Sequence, residues 1–294
     1  MRILKSSLPA VVAISVLMAV PFGVAAQDEM AAEPYTPEDG VLVWRPSVLN
    51  GANGNYVGPD GNVYAASVAG DEITVQDPDT GEVLDRIGPE RGVHGPDDVF
   101  VTDDGTIYWT EILGGNVGML KPDGTFVTQQ VGPGVNPITM SDDGRLFVAR
   151  DFLGDGLYEL DPQLVEEPRV IIEDLVAMNG MDFGPDGLLY GPLFFGGAIA
   201  RVDVDADEPA PEIVAEGFRI PSAVKFDSQG RLHAVDLAEG QIFRLDLDSG
   251  ERELLVDFEA PLDNMAFDAD DRIFTAASSD GQILRLDTDG TVVA

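Results

Sequence analysis

The sequence predicts an all-β fold, a six-bladed β-propeller with four antiparallel strands per blade. Three observations carry this: a hairpin signature that recurs six times, a pair of consecutive apolar residues at fixed phase in nearly every copy, and a small polar residue eight positions before each copy's anchor. The clearest copy spans residues 179–190, N-G-M-D-F-G-P-D-G-L-L-Y. An Asn-Gly turn leads into alternating apolar residues, a Pro-Asp-Gly reversal follows, and a second apolar run begins at Leu189, as a β-hairpin requires. Its anchor, Gly187, has counterparts at Gly61, Gly105, Gly144, Gly230 and, with an acid in place of glycine, Asp271, at spacings of 39 to 44 residues. Strand-like repeats at that period are the mark of propeller blades.

Each element then follows in order. Residues 1–26 carry Arg2 and Lys5, an apolar run from Leu8 to Val20, and Val24-Ala25-Ala26, the pattern of a cleaved export signal, so the protein is expected to be periplasmic or extracellular. The apolar run is short for a membrane span, and no stable membrane insertion is expected after cleavage. Residues 27–40 are acidic, with Pro34 and Pro37, and read as a flexible leader. The propeller is assigned to residues 41–294. Val41-Leu42-Val43-Trp44 resembles the last strand of the later repeats and is expected to complete the final blade and close the ring; Thr291-Val292-Val293-Ala294 competes for the same place.

Within a repeat, the second residue after the anchor is aliphatic (Val63, Ile107, Leu146, Leu189, Leu232, Ile273) and the third is aromatic in five copies, with His233 in the sixth. Adjacent apolar residues point to opposite faces of a strand, so this strand is buried on both sides, as when blades stack on one another. His233 is therefore expected to pack between blades rather than act as a base. Third strands such as Gln241-Ile242-Phe243-Arg244-Leu245-Asp246 are followed by short acidic turns and a short fourth strand. Six blades of about 42 residues take about 250 residues and leave no room for a seventh.

Composition narrows the function. With no cysteine and two histidines, thiolate chemistry and a three-histidine zinc site are excluded. With 17 Lys+Arg against 53 Asp+Glu, the formal net charge of −36 repels nucleic acid and anionic lipid. So acidic a surface suits a salty environment, where counterions screen its self-repulsion. The sequence contains no G-x-S-x-G elbow, phosphate-binding P-loop or H-E-x-x-H zinc helix.

The candidate site is a ring. The residues eight positions before the anchors are Asn53, Asp97, Asn136, Asn179, Ser222 and Asp263, with Asp98 and Asn264 one position further on. First strands surround a propeller's central channel and start from one face, so equal phase gathers these residues around the axis. Asn, Asp and Ser also suit the turn that begins a strand. A ring of oxygen donors without sulfur matches a hard divalent cation such as Ca2+. His94 lies in the loop ahead of the second inner strand, at the channel mouth or as an ordinary loop residue.

The hairpin pattern, the six-fold repetition and the polar starts of the inner strands resemble the senescence-marker-protein/gluconolactonase/luciferin-regenerating-enzyme family of six-bladed propellers, over nearly all of Val41 to Ala294. The resemblance implies a calcium or similar ion at the channel top, held by a Glu, asparagines and an Asp from different blades, and hydrolysis of a lactone or ester. Asn136 and Asn179 match the asparagine ligands, and Asp263-Asn264 resembles an Asp-Asn pair of paraoxonase-like relatives. The ring has no Glu, Asn53 being its counterpart, and Ser222 stands where the family order puts the Asp. Rotating the order by one blade makes Asp263 the acid, with Asp97, Asn136 and Asn179 completing the metal set. Asp263 or Asp97 is then expected to orient or deprotonate the attacking water. A second reading is a non-catalytic binding propeller of the NHL kind, engaging a protein partner or small ligand; a third is a quinone-dependent dehydrogenase, for which the cationic residues are scarce.

Overall fold

A computed structural model describes residues 49, 51–258, 260–277, 281–288 and 290–293, all within one compact unit. The expected export signal, leader and Val41–Trp44 closing strand lie outside the described residues. Among those described, the chain is built of strands, with one 3-10 turn at Pro89–Arg91, and no helix is long and apolar enough to cross a membrane.

Six sheets follow one another along the chain, at residues 55–87, 96–130, 135–172, 182–216, 221–257 and 262–286, here called blades one to six. Each pairs its strands antiparallel in sequence order from the inner strand outward. The inner strands begin at Asn55, Pro96, Val135, Asp182, Pro221 and Leu262; each contacts the next, and the sixth returns to the first. Blade six has three strands plus the C-terminal segment, in which Val292 pairs with Leu286 and Val293 N–H donates to Arg285 O at 2.9 Å. Among the described residues, the C-terminal segment holds the place for which the two termini compete.

The repeating anchor has a backbone cause. All six anchors sit in the left-handed region, with φ between 72° and 84° for the glycines and 59° for Asp271. Glycine takes that conformation without steric cost, and Asp is among the side chains that tolerate it. The acid before the anchor also has work to do. Asp60 and Asp186 accept the N–H of Asn62 and Leu188 across the turn and the hydroxyls of Tyr64 and Tyr190 on the next strand.

The core is a set of six seams, one between each pair of neighbouring blades. Leu189 faces the seam with blade three and Tyr190 the seam with blade five; Ile107 and Tyr108, Leu146 and Phe147, and Ile273 and Phe274 divide in the same way. Val63 and Ala65 of blade one meet Phe274 and Ala276 of blade six, which closes the ring by packing. His233 is buried in its seam, edge-on to Phe267 at 4.9 Å, and burial lowers its pKa, as packing rather than proton transfer demands.

Candidate functional site

The register of each blade fixes which loops share a face with the ring. Pro96 pairs with Glu111, Val135 with Arg150 and Met178 with Leu193, so the loops after the second strands stand beside Asp97, Asn136 and Asn179. This end of the channel is called the upper mouth. Backbone approach there is close: Gly180 pairs with Ala223, and a Cβ on Gly180 would sit 2.7 Å from the Ala223 methyl carbon.

Asp97, Asn136, Asn179 and Ser222 are buried, while Asn53 and Asp263 are partly exposed. Their side chains divide into two groups. Asn53 accepts Val68 N–H at 3.3 Å, and Ser222 Oγ donates to the Asp263 carbonyl, so both tie backbone together. Asn136 and Asn179 keep one end of each amide available: Asn136 Nδ2 donates to Asp151 Oδ2 at 3.0 Å, leaving its oxygen, and Asn179 Oδ1 accepts Gly180 N–H at 2.7 Å, leaving its nitrogen. No hydrogen-bond donor among the described residues reaches the carboxylates of Asp97 or Asp263.

Asp98 and Asn264 form a floor beneath the ring. Asn264 Nδ2 donates to Asp98 Oδ1 at 3.1 Å, while the N–H groups of Val99 and Ile138 donate to the same carboxylate. Burial pushes Asp98 up to about 6, opposed by the charge of Lys225 and by those two N–H groups. His94 stands apart: its side chain is 60% exposed, and Nδ1 lies 3.8 Å from Asp71 Oδ2.

A further acid joins the ring. Asp151, directly after the second strand of blade three, is fully buried, and its Oδ1 is a buried atom with no partner. Burial holds its carboxyl well above the usual carboxylate range, the charge of Asp97 adds to this, and the Asn136 bond offsets part of it. Asp97 is likewise held high by burial and then by Asp263 and Asp98, and Asp263 is pushed up to about 7 by burial and the charge of Asp98. Four carboxyls thus share one mouth, and three of them, Asp97, Asp151 and Asp263, are raised by burial and then by neighbouring carboxylates, the environment that produces acids able to exchange protons near neutrality. The sequence carried a trace of Asp151. Seven residues after the anchor the other repeats have Val68, Ile112, Phe194, Leu237 and Ser278, so Asp151 is the one acid in a mostly apolar column.

The donors at this mouth are all oxygens with the exception of the amide nitrogens, the chemistry of a hard cation. Among the described residues no three His, Cys, Asp or Glu side chains come together closely enough to hold a metal ion by themselves. Any such ion would draw on the asparagine oxygens as well. A cavity of about 1040 Å3 opens at the opposite end of the channel, where Tyr56, Phe100, Asp182, Phe183, Lys225 and Phe226 meet.

No curated protein matches the sequence. Among solved structures the fold is similar to a streptogramin B lyase (18% identity over 86% of this chain and 84% of that one, TM-score 0.65), to a gluconolactonase from Xanthomonas campestris (15%, 79% and 84%, 0.65) and to a structure of the nidogen/laminin complex (16%, 79% and 90%, 0.65). At these identities the likeness is one of fold, and the three names show how many tasks it carries. Residues 95–294, from the start of blade two to the C-terminus, match the family described as SMP-30/Gluconolactonase/LRE-like region. The chain belongs to that family.

Proposed function

We propose that the protein is a hydrolase that opens a lactone or cleaves an ester at the upper mouth, with a divalent cation such as calcium as part of the site. The observation that carries this reading is the set of four carboxyls, Asp97, Asp98, Asp151 and Asp263, gathered at one mouth, with an orphaned oxygen on Asp151. Family membership supports it. The donors fit a hard cation, and Asp97, the unpartnered Oδ1 of Asp151 and the oxygen of Asn136 would hold it. When bound, the ion supplies Lewis-acid polarisation of the substrate carbonyl.

The chain's own residues account for the proton movements. Asp263, the most exposed of the four and poised near neutrality, takes a proton from water as the water oxygen bonds to the carbonyl carbon. The C–O bond to the ring or leaving oxygen then breaks, and Asp263 returns the proton to that oxygen, giving a hydroxy acid from a lactone or an acid and an alcohol from an ester. Asn179, its oxygen engaged by Gly180 N–H, has its amide nitrogen to donate to the developing oxyanion. Asp151 holds the Asn136 amide in place.

The test is hydrolysis of a lactone panel with calcium, with chelator, and with Asp263→Ala and Asn179→Ala. Activity is expected to fall about 100-fold or more with Asp263→Ala and by at least tenfold with Asn179→Ala. Turnover that survives chelation and both substitutions removes this assignment; folded, metal-loaded protein with no turnover on any lactone or ester points to the binding-propeller reading.

A further inference from the structure

The upper mouth is lopsided. On blades three and four its rim is aromatic. Phe152 meets Phe194 edge-on at 5.0 Å and Phe195 at 5.7 Å, and Phe194 meets Phe195 at 5.2 Å, a closed triangle of rings. Phe194 is buried, whereas Phe195 is 58% and Leu153 44% exposed. At the same loop position blade two adds Leu113, 57% exposed, whereas blade five has Ala238 and Glu239, the latter paired with Arg219, and blade one has Ala69 and Gly70. The apolar side therefore covers one arc of the mouth.

Two features show that this arc is built rather than incidental. Phe152 follows directly on Asp151, so the loop that brings the orphaned carboxyl to the mouth also carries the shelf. The backbone is held in an unfavourable form there: Phe152, Val176 and Ala177 have φ of 50°, 62° and 58°, half of the six non-glycine residues in the left-handed region among those described. A phenylalanine and a β-branched valine are poor choices for that region, and such strain persists only where surrounding structure imposes it. Asp155 imposes part of it. Its carboxylate accepts the N–H groups of Gly156, Leu175, Val176 and Ala177 at 2.7 to 3.4 Å, binding the Phe152 loop to the segment that leads into Asn179. Phe194 N–H then donates to Ala177 O at 3.1 Å, joining the third loop to the other two.

We propose that Phe152, Leu153 and Phe195 form a subsite for an apolar group of the substrate, so that the site selects lactones or esters bearing an alkyl or phenyl group over polyhydroxylated sugar lactones. This rests on the hydrolytic reading above and names its substrate class. The carbonyl lies over the carboxyls, and the apolar group lies on the rings beside them. Sugar hydroxyls placed there would lose water and gain no partner, whereas an alkyl group gains by leaving water. Each added methylene that reaches the shelf is expected to raise kcat/KM by about threefold to fourfold.

The experiment compares kcat/KM for δ-decanolactone and glucono-δ-lactone in the wild-type chain and in Phe195→Ser, whose exposed position leaves the fold intact; circular dichroism checks this. Decanolactone is expected to lead by at least tenfold in the wild type, and Phe195→Ser is expected to remove most of that lead by raising KM for decanolactone alone. Equal rates on the two lactones, or an equal loss on both in the variant, overturn the subsite and leave the hydrolytic reading standing. If neither lactone turns over, that reading fails, and the subsite is read by saturation-transfer NMR with decanolactone. A signal that weakens in Phe195→Ser then supports the shelf, and no signal from the wild type overturns it.

Discussion

The two ends of the channel are made from the same six inner strands, and they treat charge in opposite ways. At the lower end Lys225 Nζ donates to Met181 O at 3.2 Å and lies 3.7 Å from Asp182 Oδ1, while Asp182 Oδ2 accepts Phe226 N–H at 3.0 Å. That pair is hydrogen-bonded to the backbone on both sides, and the surrounding rings pack in pairs, Tyr56 on Phe100 and Phe226 on Tyr190. At the upper end the carboxyls of Asp97, Asp151 and Asp263 are raised by neighbouring carboxylates, and one buried oxygen, Asp151 Oδ1, has no partner. The cavity of about 1040 Å3 lies at the end where Lys225 and Asp182 pair. Volume alone would point there; the proposed chemistry sits at the other end, because a fold retains unpaired buried polar groups where a reaction or a ligand uses them.

The sharpest way to break this contrast is to remove one charge from each end. Asp97→Asn takes away a carboxylate that repels Asp263 and Asp98 and accepts no side-chain bond from the described residues. It is expected to lower kcat/KM for the preferred lactone by about 100-fold while raising Tm at pH 8 by about 2 to 6 °C. Lys225→Met is expected to lower stability by about 1 to 3 kcal/mol, because Asp182 and Met181 O lose a charged partner, and to change activity far less than Asp97→Asn, since its charge reaches the upper mouth only through Asp98. Thermal melts and kinetics on the two variants decide it. A stability loss in Asp97→Asn would show that its carboxylate is compensated after all.

A smaller effect appears in the pH dependence of stability. The folded-state pKa values of Asp98, at about 6, and Asp263, at about 7, lie above those of an unfolded chain. The folded protein therefore holds protons that the unfolded chain has shed. That contribution is complete below about pH 4 and is lost as pH rises through 6 and 7. Asp77, Asp104, Asp123, Asp161 and Asp246, lowered by turn hydrogen bonds, act in the opposite sense and only below about pH 4, while His233, lowered by burial, opposes the two acids as pH falls below about 6.5, one group against two. In chelator, Tm is expected to fall by several degrees between pH 5 and 8, and millimolar calcium is expected to restore most of it at pH 8 and little at pH 5. A flat profile in chelator would mean that the upper mouth is no more strained than the lower.

The blade architecture was legible because it depends on backbone geometry and burial, which impose a residue type on every repeat. A left-handed anchor demands Gly or Asp, and a strand between two seams demands paired apolar residues such as Leu189 and Tyr190. The site was legible only as a column. Equal phase gathered Asp97, Asn136, Asn179 and Asp263, yet it also included Asn53 and Ser222, whose side chains serve backbone groups of neighbouring segments. Whether a polar side chain turns to the mouth or to the backbone depends on contacts between residues far apart in sequence. Asp151 and Phe152 escaped for a related reason. They occur once, in one blade, and a repeat comparison treats a single departure as noise, although function departs from a repeat in this way.

The smallest expected effect concerns His233, the residue most easily mistaken for a catalyst. It belongs to the seams and not to either end of the channel, at the position that is aromatic in every other blade. Its ring packs on Phe267, Nδ1 lies 3.1 Å from Arg231 O, and Nε2 lies 3.9 Å from Asp227 Oδ2, which already pairs with Arg231. His233→Phe keeps the aromatic contact and gives up one polar contact at the edge of the seam. Stability is expected to change by about 1 kcal/mol or less, and kcat/KM to stay within twofold. A tenfold loss of activity in a variant that melts like the wild type would show that the seams, and not the mouth alone, take part in the chemistry; an unchanged rate confines that chemistry to the residues that share the upper mouth.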